Sequence, residues 1–365
     1  MTAASLPSSS SAGGSADRHR LRAFKWREAD FRTGAVVGAL TIAPLIVGVL
    51  LGVLSATVLV CLGTLNAVLA VLGPSGLAPV SRGVICAVGN AALFALGSVA
   101  AYLGPWVILF AGAGIFLLYL VRRRPGWEGS GLILAVMLVV GIGLPSHPFS
   151  EAGIRFGLVL VGGLWGLSLL FLKTLLTGPT RLRGSPPAPP APTVVLAAPR
   201  SAVPIPRLSL TAGLTVAAGV AISMALRLPR DYWVMLTILV VLQTDLSSTM
   251  IRARDRVTGT ILGAALGAAV VVLLPVSWLQ IPLIGVFLAA AIAVQGLDYL
   301  LYALFLTPFV LVLLNQAFPG GVLLSEERVF DTILGSGLGI LAAWLATRGA
   351  GDIRPAVSPP SIHAP

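Results

Sequence analysis

Four arginines in this 365-residue chain stand at the heads of apolar stretches, and their spacing repeats. Arg82 is followed seven positions later by Gly89, and Arg256 by Gly263. Arg155 and Gly162 share that spacing with Arg328 and Gly335, and here a second glycine follows in register, Gly166 and Gly339. The offsets between the paired sites are 174 and 173 residues, so the two halves of the chain read as copies. A guanidinium has two uses at such a place. It can snorkel to the headgroups as an anchor. It can also face a pore, where its planar fork grips a carboxylate through two parallel hydrogen bonds.

Other polar groups sit close to apolar sequence. Asp245 follows the run Leu236 to Thr244, with Arg252 about two helical turns later. An intramembrane carboxylate is expensive and usually paired. Asp245 is thus a candidate proton-coupling group, or a partner for Arg252 or Arg256, against the simpler reading of a helix-end residue in a solvated salt bridge. Asp298 reads mainly as a turn residue. Gln243, Asn66, Asn90 and Asn315 lie within spans, where most such side chains hydrogen-bond between helices. Tyr232 and Trp233 fit an aromatic belt at the outer headgroups, or the mouth of a pathway. Cys61 and Cys86 lack CxxC spacing and read as small packing residues. The three histidines are isolated, and no P-loop, HExxH, GxSxG or paired Asp-rich motif occurs. We therefore expect no metal, no cofactor and no enzymatic reaction.

The elements that must position these residues are membrane helices. Hydrophobic residues make up 57% of the chain and charged residues only 10%, too few to cover a soluble globule. The net charge of +11 does not point to nucleic acid, because the basic residues lie in short runs between apolar spans. A crossing helix needs about 20 apolar residues. On that measure residues 33–81 hold two spans with a turn near Leu51 to Ser55. Gly83 to Val121 holds two more, broken at Gly104-Pro105. Single spans follow at Gly129 to Leu144 and Phe156 to Leu176. Beyond a Pro-rich stretch come Leu208 to Leu226, Tyr232 to Met250, Val257 to Leu274, Ile281 to Leu297, Tyr299 to Phe318 and Val329 to Thr347.

The expected organisation is all-α and polytopic, about twelve transmembrane helices as two parallel six-helix repeats. A disordered basic tail occupies 1–32 and leads into a retained first span rather than a cleavable leader. The N-terminal repeat covers 33–176, a Pro/Ala/Arg-rich linker 177–206, the C-terminal repeat 207–348 and a second tail 349–365. The basic runs, including Arg122-Arg123-Arg124 and Arg252 to Arg256, put both termini on the cytoplasmic side of the cell membrane. In that scheme Arg82 and Arg256 lie at the cytoplasmic end and Arg155 and Arg328 at the outer end, so that both mouths attract anions. Gly89, Gly162, Gly259, Gly263 and Gly335 are expected to bring helix backbones together. The halves form a pseudo-dimer within one chain, and homo-oligomers remain open.

The stretch from Arg230 to Gly267 resembles the fusaric acid resistance (FUSC) family, the integral membrane bound transporter domain related to aromatic acid exporters. The residues carrying the likeness are Tyr232-Trp233, Thr237, Val240-Val241-Leu242-Gln243, Thr249, Arg252, Arg256, Gly259-Thr260 and Gly263. Arg328, Asp331-Thr332 and Gly335 resemble the family's last-span motif. Thr244 stands where many members carry Pro. The N-terminal half lacks the YW pair and looks like a diverged copy. The resemblance implies movement of small organic anions, such as aromatic carboxylates, out of the cell. Its rival is a non-transporting envelope protein, a scaffold or assembly partner.

Overall fold

In the computed structural model, residues 29–73, 76–77, 80–122, 127–144, 149–177 and 205–348 are described. The expected tails, the linker through residue 204, Arg123, Arg124 and His147 lie outside them, apart from residues 29–32 and the last turn of the sixth helix.

Among the described residues the protein is a polytopic helical membrane protein. Its helices are α1 (Phe31–Leu51), α2 (Leu54–Val71), α3 (Val80–Ala100), α4 (Val107–Val121), α5 (Glu128–Ile142) and α6 (Phe149–Thr177), then α7 (Ile205–Ala225), α8 (Tyr232–Val241), α9 (Leu246–Leu273), α10 (Ser277–Val294), α11 (Tyr299–Ala317) and α12 (Leu323–Arg348). Two-residue strands at Leu72–Gly73 and Gly76–Leu77 close the turn after α2. Nine helical stretches are long and apolar enough to cross a bilayer, with α3 and α4 counted as one, while α5 and α8 are shorter. Large apolar side chains such as Leu50 and Leu273 are 78% and 75% exposed. That surface suits hydrocarbon, where helices satisfy their own backbone groups and water need not be met.

Local chemistry sets the boundaries. Gly52 adopts a left-handed conformation (φ 68°) and ends α1 inside the expected turn. Gly104 (φ 57°) followed by Pro105 breaks α3 from α4 where the sequence places a break. The eighth span differs from expectation. Instead of running to Met250, α8 stops at Val241 and Leu242 turns extended. Gln243 makes this break: its carboxamide donates to the carbonyls of Val240 (3.3 Å) and Leu242 (3.1 Å). Its own N–H donates to Thr249 Oγ1 (3.1 Å). Tyr119 reaches across from α4 to donate to the Leu239 carbonyl (3.0 Å). Asp245 then caps α9, accepting from Ser248 N–H (2.8 Å) and the Ser247 hydroxyl (2.7 Å). The helix thus breaks with Thr244 in place of Pro, because side chains satisfy the freed backbone groups. Arg252 to Arg256, expected in a loop, are therefore helical and well inside α9.

Packing relates the two halves. α1 lies on α10, and α7 on α4. α2 packs on α6 as α8 does on α12, and α3 on α5 as α9 does on α11. The pairing is unchanged when each helix is exchanged for the one six places on. Close backbone approach underlies these pairs, as expected where lipid supplies no hydrophobic drive between helices. A Cβ on Gly38 would stand 2.6 Å from the Gly285 carbonyl oxygen, and one on Gly213 would stand 2.6 Å from that of Gly112. Gly162 meets the Val60 carbonyl and Gly335 that of Val234, at 1.9 and 2.6 Å on the same measure. Gly259 and Gly263 approach the carbonyls of Leu300 and Leu304. Gly89 is looser, facing only the tip of Leu134. Both apolar cores draw side chains from both halves, so the halves interlock. At the centre, α2, α5, α8 and α11 surround a cavity.

Candidate functional site

The cavity has a volume of about 670 Å³. Its two sides are chemically unlike. From the first half, α2 presents Leu59, Leu62 and Leu65, and α5 presents Leu132, Val136 and Val140. The polar side chain on this wall is Asn66, whose amide donates back to the Leu62 carbonyl (2.8 Å). From the second half come Arg252 and Arg256 on α9 and Arg328 on α12. Tyr232 and Trp233 on α8, and Tyr299 and Tyr302 on α11, lie on that side too, together with Gln295 and apolar residues such as Leu306, Phe309 and Leu313. Asp298 also lines it, its carboxylate accepting from Leu301 N–H (3.1 Å) as the cap of α11.

Two of the three arginines lie over rings, and among the described residues none of the three is paired with an acid. The Arg252 guanidinium lies 3.9 Å from the Tyr299 ring centre, and that of Arg328 lies 5.0 Å from Trp233. Stacking of this kind fixes the plane of the fork and leaves its N–H edges free. Arg256 and Arg328 are each only 4% exposed. Among the described residues, Nε of Arg252, Arg256 and Arg328 and Nη1 of Arg328 have no hydrogen-bond partner. Buried donors without partners are costly, more so when charged, and four at one cavity make a site short of anionic acceptors. Arg256 and Arg328 are also close enough for their charges to interact.

The structure places the expected site residues differently from the sequence reading in several respects. Arg256 and Arg328 line one cavity rather than opposite mouths, because each lies within its helix and faces the centre. Arg82 and Arg155 do not line it. Arg82 lies over Trp127 at 5.6 Å, and Arg155 donates to the Leu144 carbonyl (2.6 Å) and pairs with Glu151 (2.5 Å). Tyr232 and Trp233 are buried inside the protein, edge to face at 5.7 Å, and not in a headgroup belt. Gln243 and Asp245 are absent from the lining, since both are spent on the α8–α9 break. Asp245 is thus not the partner of Arg252 or Arg256.

Sequence reasoning missed Tyr299 and Tyr302. Their signal was present: spacing of three after a capping Asp puts both on one helix face. Asp331 entered only as part of a motif, yet it is buried one turn beyond Arg328. Cys61 and Cys86 are buried, and the Cys61 thiol donates to the Thr41 carbonyl (2.8 Å).

Residues 216–342 match a family described as fusaric acid resistance protein-like. No curated protein and no solved structure matches the chain. The matched segment contains every arginine and aromatic side chain that lines the cavity. In residues 216–342 the chain is thus similar to the fusaric acid resistance protein-like family.

Proposed function

We propose that the protein is a permease for small organic anions, such as aromatic carboxylates, and that the central cavity is its binding site. The observation that carries this reading is the set of unpartnered guanidinium N–H groups buried in one cavity opposite an apolar wall. A carboxylate would satisfy the forks of Arg256 and Arg328, while a ring lies against Leu62 and Val136. Two unit charges 4 Å apart interact by about 4 kcal/mol at the effective dielectric of a partly buried site. That is enough to offset much of the desolvation of a small carboxylate. The similarity of residues 216–342 to that family supports a transport or resistance role in general.

The same reading extends to the architecture. The exchange symmetry of the helix pairs supports two six-helix repeats in parallel, with α5 and the short α8 completing twelve crossings. Both termini are then on the cytoplasmic side of the cell membrane, and export of the anion is the direction the family implies. No enzymatic step is assigned to the site.

The test is benzoate flux through proteoliposomes containing the full chain, with Arg256→Ala alongside. The proposal expects saturable flux that falls at least tenfold in the variant while insertion is unchanged. No flux above empty liposomes from well-folded protein favours a non-transporting scaffold instead.

A further inference from the structure

We propose that the central cavity takes a carboxylate carrying a long unbranched alkyl chain, with its head on Arg256 and Arg328 and its chain along α11. The inference rests on the anion-site reading of the cavity and names the class of anion that the site is shaped for.

α11 faces the cavity along its whole length, from Tyr299 to its C-cap Phe318. Spacings of four, three and four residues put Tyr302, Leu306, Phe309 and Leu313 on one face of the helix. Leu314 and Phe318 continue that stripe. Its polar members stand at its start: Tyr299, whose ring lies 3.9 Å from the Arg252 guanidinium, and Tyr302. Beyond Tyr302 every residue of α11 on the lining is aliphatic or phenylalanine. The stretch from Leu306 to Phe318 measures about 18 Å at the rise of an α-helix, far longer than an aromatic ring. The stripe is buried at Phe309 and Leu313 and reaches the surface at Phe318, which is 46% exposed.

The helices opposite carry the same pattern. α5 lines the cavity with Leu132, Val136, Val140 and Leu144, four aliphatic residues at spacings of four. α2 adds Leu59, Leu62, Leu65 and Leu69, and its polar member, Asn66, donates to its own helix. Water along such a stretch would find no hydrogen-bond partners, so the space suits an apolar occupant. A few polar groups fix the orientation of a ligand, and apolar contact along the rest supplies affinity. A benzoate seated on the arginines would touch only the near part of this surface. A linear chain attached to the same carboxylate would follow the stripe toward Phe318 and bury one methylene after another.

The experiment is calorimetry on the full chain in lipid nanodiscs, with empty nanodiscs as the reference for partition into lipid. Butyrate, octanoate and dodecanoate are titrated beside benzoate. Binding above the reference should tighten about fourfold per added methylene, the factor that about 0.8 kcal/mol per buried CH2 gives. Arg256→Ala should weaken every acid of the series, butyrate included, at least tenfold. Leu313→Trp narrows the far part of the cavity and should lower the dodecanoate-to-butyrate affinity ratio at least tenfold. Val310→Phe should lower the same ratio less strongly, and it decides where Leu313→Trp does not fold. Benzoate binding with no dependence on chain length overturns this inference alone, and so does a ratio that neither variant changes. No binding of any acid above the empty nanodiscs overturns the anion-site reading and this inference with it.

Discussion

The two walls of the central cavity descend from equivalent helices and do opposite things. α2 and α8 occupy matching places in the pairing of helices, yet α2 offers Val58 and Leu59 where α8 offers Tyr232 and Trp233, 174 positions on. α12 sends Arg328 into the cavity, while its counterpart α6 turns Arg155 away to Glu151 and the Leu144 carbonyl. α9 contributes Arg252 and Arg256, whereas the equivalent Arg82 of α3 lies over Trp127. Packing is thus shared between the halves, and charge is not. A helix interface needs a small residue at each crossing, and a substitution there meets backbone directly. A cavity wall has no such constraint, so its chemistry can diverge without disturbing the frame. The result is a site with one cationic aromatic side and one apolar side, suited to a molecule with the same division.

The comparison can be broken most severely at the crossings. Gly335→Val and Gly162→Val should each fail to yield folded protein, because a side chain there runs into the carbonyl of Val234 or Val60. Detergent-solubilised yield and thermal stability would read this, with a loss of several kcal/mol expected, on the scale of severe overpacking. Next in size is the cationic wall. Arg256→Ala combined with Arg328→Ala should abolish benzoate flux, on the order of a hundredfold, with folding retained. The apolar wall should matter less and selectively. Leu62→Ala should weaken benzoate binding several-fold, the effect of removing about 1–3 kcal/mol of apolar contact, and leave acetate unchanged. Asp245→Ala removes only the cap of α9 and should cost about 1 kcal/mol in stability. It should leave flux within a factor of about three, which separates a cap from a coupling group.

Much of the frame was legible in the sequence. Apolar length located nearly every helix, and Gly104-Pro105 marked its own break, because both signals are local. The Arg-to-Gly spacing pointed to corresponding positions in the two halves, and Gly162 and Gly335 each seat on a carbonyl, those of Val60 and Val234. What failed was anything that depends on where a side chain points. Four arginines with one spacing looked equivalent, but two face the cavity and two find partners elsewhere, and spacing carries no record of partners. The α8 break was hidden for a related reason. Gln243 read as a polar group bonding between helices and Asp245 as either a coupling group or a helix-end residue in a salt bridge, whereas both bond to groups one to three residues away. Tyr232 and Trp233 looked like a belt because they stand where the charged Arg230-Asp231 gives way to an apolar span. Only the fold brings α12 and α5 around them.

The central claim is that anion recognition lies on one wall only, and a matched pair of variants tests it most directly. Arg328→Ala and Arg155→Ala remove arginines at corresponding sequence positions in the two halves. Benzoate flux measured for both in proteoliposomes, at equal amounts of inserted protein, should fall at least tenfold for Arg328→Ala and stay within about twofold of wild type for Arg155→Ala. Equal losses in the two variants, or no loss in Arg328→Ala, would contradict the account.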